Sequence, residues 1–497
     1  LKIKDLFQNM PEFDARVAAT GDLEISDLQV DARKVIPRGV FIAINGAQYD
    51  AHEFIPQAVT AGAFVLVVEN TRNVPVDFKG LVFQTKNSRM TLDKLAANFY
   101  RNPSMEMICY GVTGTNGKTS ITYMIEHVLE RMRVPCGILG TINHHLREKT
   151  WPTDMTTPGP LELQKRLREM KDEGAKAIAM EVSSHALAQH RADGVNFNTA
   201  IFTNLTRDHL DFHKNEKDYF SAKQRLFTDL LWSTKKPTHF AVINTDDRWG
   251  ARMRLASDSG LWSYGKNSSA DFQFTMTQLG FSKTEFKLKT PYGEFESSLP
   301  MCGEHNVYNA VAVVAAVASS GVPVAKALDA LTQFPGVPGR LQIVPNSRAL
   351  NVFVDYAHSP DALENVLLSL RAVRSQMLAK NKIWTVFGCG GDRDKGKRPL
   401  MAQVACRLSD EVMITSDNPR TEEPEQIVSD IFVGVEIIDR ERVHRQVDRK
   451  KAIAEVIRQA KMGDVILIAG KGHEEYQIVG QERLPFSDFQ VAKEILV

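Results

Sequence analysis

The stretch "YGVTGTNGKTS", residues 110–120, decides how this chain folds. The apolar run "MICYGV" (107–112) enters it, and the helical pattern "ITYMIEHVLERM" (121–132) leaves it. A glycine-rich turn between a buried strand and a helix is predicted. Glycines let backbone N–H groups approach phosphate oxygens, and a helix N-terminus adds positive potential. Gly114, Thr115, Asn116, Gly117, Lys118, Thr119 and Ser120 are therefore candidate nucleotide-binding residues. Lys118 can reach the β- and γ-phosphates, and the Thr119 hydroxyl can help to hold Mg²⁺. The generic GxxxxGK[ST] spacing would need glycine where Val112 stands, so this turn is of a different make.

Outward from the turn, the same design recurs: an apolar strand, then at once a polar or glycine-rich loop. "AKAIAMEV" (175–182), "NTAIFTNL" (198–205) and "THFAVIN" (238–244) read this way. So do "ALNVFVDYAH" (349–358), "NKIWTVFGCGG" (381–391), "EVMITSDNPR" (411–420) and "DVILIAGKGHEE" (464–475). In open parallel α/β sheets ligands lie outside the carboxyl ends of strands, so those loops should carry the chemistry. Residues 1–102 hold shorter runs, "GVFIAING" and "AFVLVVEN", around the helical "AHEFIPQAVTAGA". The Gly- and Pro-rich "FPGVPGRLQIV" (334–344) reads as a linker. Three α/β domains are expected: 1–102, 103–335 and 336–497.

Composition excludes several classes. With 43% hydrophobic and 24% charged residues the chain is globular, and a net charge of +1 provides no global field for nucleic acid or anionic membrane. The longest apolar stretch, Ala310 to Ala318, is about half of what a bilayer requires and reads as a buried helix. The five cysteines show no metal-ligand spacing, and "LKIKDLFQNMPEF" has no signal-peptide core. A cytoplasmic, monomeric protein is expected.

Two further regions bear on the chemistry. Glu181 ends one strand and Asp208-His209 follow the next. Mg²⁺ prefers hard oxygen ligands, which suits Glu181, whereas His209 taken alone is more often a structural histidine. In "YFSAKQRLF" (219–227) Lys223 stands mid-way along the apolar helical face of Tyr219, Phe220, Leu226 and Phe227. Either it snorkels to solvent, or burial keeps its amine neutral and able to take up CO₂ as a carbamate.

Taken in order, GTNGKT, "EVSSH", "NLTRDHLDFH", "GEHNVYNA", "PGR", "VDYAHSPDAL", "GCGGDRDKGKRP", "DNPR" and "AGKGHE" resemble the Mur ligase family. The resemblance covers nearly the whole chain. It implies a nucleotide-sugar-binding N-terminal domain, a central P-loop ATPase domain and a C-terminal Rossmann-like domain. It further implies ATP-dependent addition of a diamino acid to UDP-MurNAc-L-Ala-D-Glu through an acyl phosphate. By the same resemblance Lys118 acts on the transferred phosphate, and Thr119, Glu181, His209 and a carbamylated Lys223 surround Mg²⁺. Asn306, Arg340, Asp355 and His358 match nucleotide contacts, and Thr156, Thr157, Ser183, Gln189 and Arg191 match contacts to the muramoyl peptide. Two departures stand out: Asp31-Ala32-Arg33 lacks the usual central serine, and Met155 replaces the asparagine that commonly precedes the paired threonines.

Members of the family that add meso-diaminopimelate carry DNPR. The far end of that amino acid presents a carboxylate and an ammonium, whereas L-lysine presents the ammonium alone. Arg420 offers a planar fork for a carboxylate, with Asp417, Asn418 and Pro419 beside it. Arg393 offers a second guanidinium and Glu474 an anion for the ammonium, with Gly470 on the same loop a further substrate-binding candidate. The alternative is a surface Arg420 paired with Glu422 or Glu423. A lysine-adding enzyme and a folylpolyglutamate synthetase-like ligase are the competing functions.

Overall fold

In the computed structural model the apolar run before the glycine-rich turn forms the strand Ile108–Thr113. All residues are described except 47, 48, 207, 210, 211, 256, 257 and 378–380. The strand pairs in parallel with Ala177–Glu181 on one side and Thr199–Phe202 on the other. Phe240–Asn244 and Gly260–Gly265 extend the sheet past Thr199–Phe202, and Cys136–Leu139 extends it past Ala177–Glu181. The three middle strands are buried on both faces, which is why they read as unbroken apolar runs. Register sets Val112 beside Glu181 and Thr113 beside Phe202. Three loops thus leave the sheet at neighbouring carboxyl ends, where the sequence places the chemistry.

Two glycines make the turn possible. Gly114, at φ +145°, would bring a Cβ within 1.8 Å of Thr203 Oγ1, and Gly117, at φ +89°, opens the helix Lys118–Arg131. Ahead of this region a four-stranded parallel sheet runs Leu28–Gln29, Gly39–Ile42, Ala63–Val68, Leu81–Gln84. It is followed by the helix Ser88–Phe99, capped by the Asn87 side chain.

The chain divides into two compact units, Leu1–Ala270 with Ala312–Val322, and Asp271–Val311 with Pro323–Val497. The second contains a six-stranded sheet ordered Gln342–Ile343, Asn351–Asp355, Val465–Ala469, Ile383–Phe387, Glu411–Ile414, Val443–Arg445. Every pairing but the first is parallel. Its four central strands are those expected from the sequence, and their loops, including DNPR and GKGHEE, leave from one edge.

Other features depart from the expectation. Phe272–Gln278, Thr284–Thr290 and Gly293–Leu299 form an antiparallel set, absent from the α/β reading of 103–335, whose middle strand alternates buried residues with more exposed ones. Lys223 lies on the helix Glu216–Arg225, but Leu226 and Phe227 fall in a π-helical turn, Leu226–Leu230. The apolar stretch at 310 belongs to the helix Glu304–Ala318 and is fully buried from Ala310 to Val317. Among the described residues no helix is long and apolar enough to cross a membrane.

Candidate active site

The segment after Phe202 holds the outer edge of the glycine-rich turn. Thr115 N donates to Asn204 O (2.8 Å), Asn116 N to Asn204 Oδ1 (3.0 Å), and Thr203 Oγ1 to Asn116 O (2.6 Å). Lys118 Nζ folds over the turn, donating to Gly114 O (2.9 Å) and Thr115 O (2.8 Å). Thr119 and Ser120 are buried on the first helical turn. Asn204 and Thr203 were not among the sequence candidates, since their partners lie some ninety residues away.

Glu181 gathers a ring of hydroxyls. Its Oε1 accepts from Thr119 Oγ1 (3.0 Å) and Thr141 N (2.9 Å), and its Oε2 from Thr141 Oγ1 (3.0 Å). A Cβ at Gly140 would stand 2.5 Å from Glu181 Oε1, so the carboxylate fills the space that this glycine leaves. Thr141 Oγ1 also meets Thr156 Oγ1 at 3.0 Å. Thr157 Oγ1 donates to Glu181 O (2.8 Å) and accepts from Ser183 N (3.1 Å). Arg191 donates to Gln189 Oε1 and, through Nη1, to Thr157 O (3.0 Å). Burial and the nearby Arg89 lower the Arg191 pKa. The predicted peptide contacts are therefore brought together around Glu181. Thr141 was missed because nothing local distinguishes it.

Met155 Sδ lies 3.2 Å from the same Arg191 nitrogen, Nη1. Ala32 is buried in the cluster of Val35, Phe41 and Ala43, while Asp31 and Arg33 on either side form a two-bond ion pair (2.8 and 2.9 Å). The Arg33 guanidinium holds the Asp31 carboxyl down at about 2.

Lys223 resolves its two readings by burial. It is 1% exposed, its Nζ donates to Gly114 O (2.9 Å), and it lies 4.3 Å from the centre of the Tyr219 ring. Desolvation, and then the charge of Lys118, push its pKa well below the ordinary lysine value. It does not snorkel. His209 is half exposed, with Nε2 3.5 Å from Asp208 Oδ2 and its ring edge-on to His185 at 4.9 Å. Among the described residues no group of three or more His, Cys, Asp or Glu side chains is assembled as a metal centre.

In the second unit the DNPR loop packs against GKGHEE. Asn418 Oδ1 accepts from Lys471 Nζ (2.9 Å) and Ile478 N (3.0 Å), and Asn418 Nδ2 donates to Glu474 Oε2 (2.9 Å). Lys471, wholly buried, also meets Asp417 Oδ1 (3.3 Å) and Glu474 Oε2 (3.1 Å). Asp417 thus pairs with Lys471, and among the described residues it makes no hydrogen bond to Arg420. Arg420, at φ +52°, directs Nη1 to Gly391 O (2.8 Å). Its possible surface partner Glu422 is taken by Arg398, at 2.9 and 3.0 Å. Among the described residues no carboxylate forms an ion pair with Arg420. Gly390 lies between Arg420 and Arg393, whose Nη1 and Cγ would stand 2.8 and 3.7 Å from a Cβ there. Pro419 O presses on Gly391, and Gly470, at φ +114°, donates to Asp355 O (3.1 Å). Lys471 and Arg398 were not singled out in the sequence.

The remaining candidates hold the second unit's loops. Asp355 accepts from Leu341 N (2.7 Å) and Ala357 N (2.8 Å), and burial raises its pKa against the pull of Arg340. Arg340 stacks over Tyr356 at 4.9 Å, and His358 Nδ1 meets Tyr356 O at 2.8 Å. Asn306 is buried, with its amide bonded to Cys302 O (2.8 Å) and Asn309 Nδ2 (3.2 Å).

The Mur ligase middle domain matches residues 112–317, and the Mur ligase glutamate ligase domain matches 339–472. The chain belongs to the Mur ligase family. This Mur ligase is 42% identical over 501 residues to the UDP-N-acetylmuramoyl-L-alanyl-D-glutamate--2,6-diaminopimelate ligase of Clostridioides difficile, covering 100% of this chain and 99% of that one. It is 41% identical over 493 residues to the protein of the same name from Geobacter sulfurreducens, with 96% of each chain covered. A solved structure of a ligase of this name superposes with a TM-score of 0.73 at 31% identity, over 100% of this chain and 98% of that one. Folylpolyglutamate synthase of Mycobacterium tuberculosis, at 17% identity and a TM-score of 0.60 over 77% of this chain and 92% of that one, shares the fold alone. This Mur ligase accordingly has the three-domain α/β architecture of its family, with ATPase and Rossmann-like domains.

Proposed function

We propose that this Mur ligase adds meso-diaminopimelate to UDP-MurNAc-L-Ala-D-Glu at the expense of ATP, in the cytoplasmic assembly of peptidoglycan precursors. Relatives of that name align along its full length. One observation carries the choice of amine: Arg420 is anchored on a backbone carbonyl, with Asn418 and Glu474 in the adjoining network, and no carboxylate pairs with it among the described residues. That arrangement suits a substrate that brings its own carboxylate and ammonium.

In the reaction the D-Glu carboxylate attacks the γ-phosphorus of ATP, and the bond to the β-phosphate oxygen breaks. An acyl phosphate and ADP result. The amine of diaminopimelate then adds to the acyl carbon, gives up a proton, and expels phosphate to leave the amide. Lys118 and the N–H groups of 114–120 hold the phosphates, where positioning and charge stabilisation supply most of the rate. The hard donors Thr119 Oγ1 and Glu181 Oε1, 3.0 Å apart, suit Mg²⁺. With His209 they would hold the ion, whose charge offsets that of the phosphate oxygens. The buried Lys223 amine suits carbamylation: its nitrogen bonds the carbon of CO₂, a proton leaves to solvent, and a carboxylate-like group remains. Domain boundaries near 102 and 335 and a monomeric state complete the reading.

The test is phosphate release from Mg·ATP and UDP-MurNAc-L-Ala-D-Glu with meso-diaminopimelate, with L-lysine, or with no amine. Release that requires diaminopimelate, with a tripeptide product by mass, is expected. Preference for lysine would remove the role given to Arg420, and silence with every amine would remove the ligase reading.

A further inference from the structure

We propose that Lys471 is a positioning residue that sets the polarity of the amino-acid site, fixing Asn418 as a donor and Glu474 as an acceptor without touching the substrate. The proposal rests on the diaminopimelate-adding reading above and names the buried group that makes it selective.

An amide side chain can present either its oxygen or its nitrogen to a ligand. Here both acceptor positions of Asn418 Oδ1 are occupied, by Lys471 Nζ at 2.9 Å and Ile478 N at 3.0 Å. One Nδ2 hydrogen goes to Glu474 Oε2 at 2.9 Å, so what Asn418 has left to offer is the second N–H. Glu474 Oε2 accepts from Asn418 and from Lys471 at 3.1 Å, whereas among the described residues Oε1 has no hydrogen-bond partner. The network therefore leaves a donor at Asn418, whose backbone carbonyl lies 3.5 Å from Arg420 Nη1, and an acceptor at Glu474. A carboxylate fits the first and an ammonium the second.

Lys471 itself is 0% exposed. Its ammonium is shared by two carboxylates, Asp417 at 3.3 Å and Glu474 at 3.1 Å. Removing it would free Asn418 to turn its oxygen outward and leave two uncompensated negative charges where a substrate carboxylate must enter. Diaminopimelate would be repelled, while L-lysine, which lacks that carboxylate, would not. A hydrogen bond to a charged group contributes about 1.5–3 kcal/mol, or roughly tenfold to a hundredfold in binding.

The experiment compares the full-length wild type with Lys471→Met and Lys471→Arg, using meso-diaminopimelate and L-lysine as amines. It reads kcat and KM for each amine, KM for ATP, and Tm. For Lys471→Met the KM for diaminopimelate should rise about tenfold or more and the preference over lysine should fall by a similar factor, with KM for ATP unchanged. Lys471→Arg, which keeps the charge, should retain most of the preference. A parallel fall in kcat with both amines, at unchanged preference, would overturn the proposal and leave Lys471 a structural residue. If Lys471→Met does not accumulate folded, Lys471→Gln carries the same comparison, keeping a donor for Asn418 but not the charge. A wild type that ignores diaminopimelate would instead overturn the parent reading, so the two failures are distinguishable.

Discussion

Lys118 and Lys223 place their amines on one carbonyl oxygen, that of Gly114, each at 2.9 Å. Two like charges so close, with Lys223 sealed from water, favour the neutral form of the buried amine. The glycine-rich turn thus connects the lysine proposed to bind phosphate to the residue proposed to carry a carbamate.

Replacing Lys223 by Met should change how stability responds to pH. The folded-state pKa is depressed, so between that lowered value and 10.5 the unfolded chain binds a proton that the folded chain does not. Stability gained from this group therefore increases as pH rises toward 10.5. Between about pH 7 and 9 the wild-type Tm should rise relative to that of Lys223→Met, and the difference should be read from paired thermal scans. Parallel curves would mean that Lys223 is not held neutral.

Gly114→Ala should abolish nucleotide binding. The added methyl would meet Thr203 Oγ1 at 1.8 Å and force a side chain into the left-handed backbone region. Amide formation should fall by about a hundredfold or more, because misplacing the loop by an ångström misdirects the phosphates. Titration calorimetry with an ATP analogue checks the loss directly.

Arg420→Lys keeps a positive charge but removes the planar fork. The kcat/KM for meso-diaminopimelate should fall by about 10²- to 10⁴-fold, with KM for ATP unchanged. Steady-state kinetics with both substrates varied would show it. Equal effects on the ATP and amine parameters would place Arg420 outside the amine site.

Arg449→Met tests the floor beneath the DNPR and GKGHEE loops. The side chains of Arg449 and Asp488 are both 0% exposed and joined by two bonds of 2.7 Å, and Arg449 also reaches Ser416 O (3.2 Å) and Ala469 O (2.9 Å). Leaving Asp488 buried and unpaired should cost about 3–5 kcal/mol, measured by urea unfolding. The double variant Arg449→Met/Asp488→Leu should recover a large part of that loss.

Met155→Asn would restore the side chain usual in the family, beside Arg191. Its sulfur now lies against Arg191 Nη1, so an amide there should donate or accept where the thioether does so only weakly. UDP-MurNAc-L-Ala-D-Glu should bind several-fold more tightly, with KM for the amine unchanged, as calorimetry and kinetics together would report.

By itself the sequence determined the local devices. A strand, a glycine turn and a helix can be read at 107–132 because each depends on neighbouring residues and on backbone conformations that only glycine adopts easily. DNPR could be read as a recognition loop because residue types and spacing state its chemistry. Tertiary structure alone decided which polar groups are still open to a ligand. Arg398 removes Glu422 from Arg420, Lys471 turns Asn418 into a donor, and Thr141 closes the ring on Glu181, across separations of 24, 53 and 40 residues. The same holds for Lys223, whose depressed pKa comes from the burial around it and then from the charge of Lys118, far away in the chain. A hydrogen bond between distant residues leaves no periodic trace in the chain, and desolvation belongs to the packed interior, so neither could be read before the sheets had assembled.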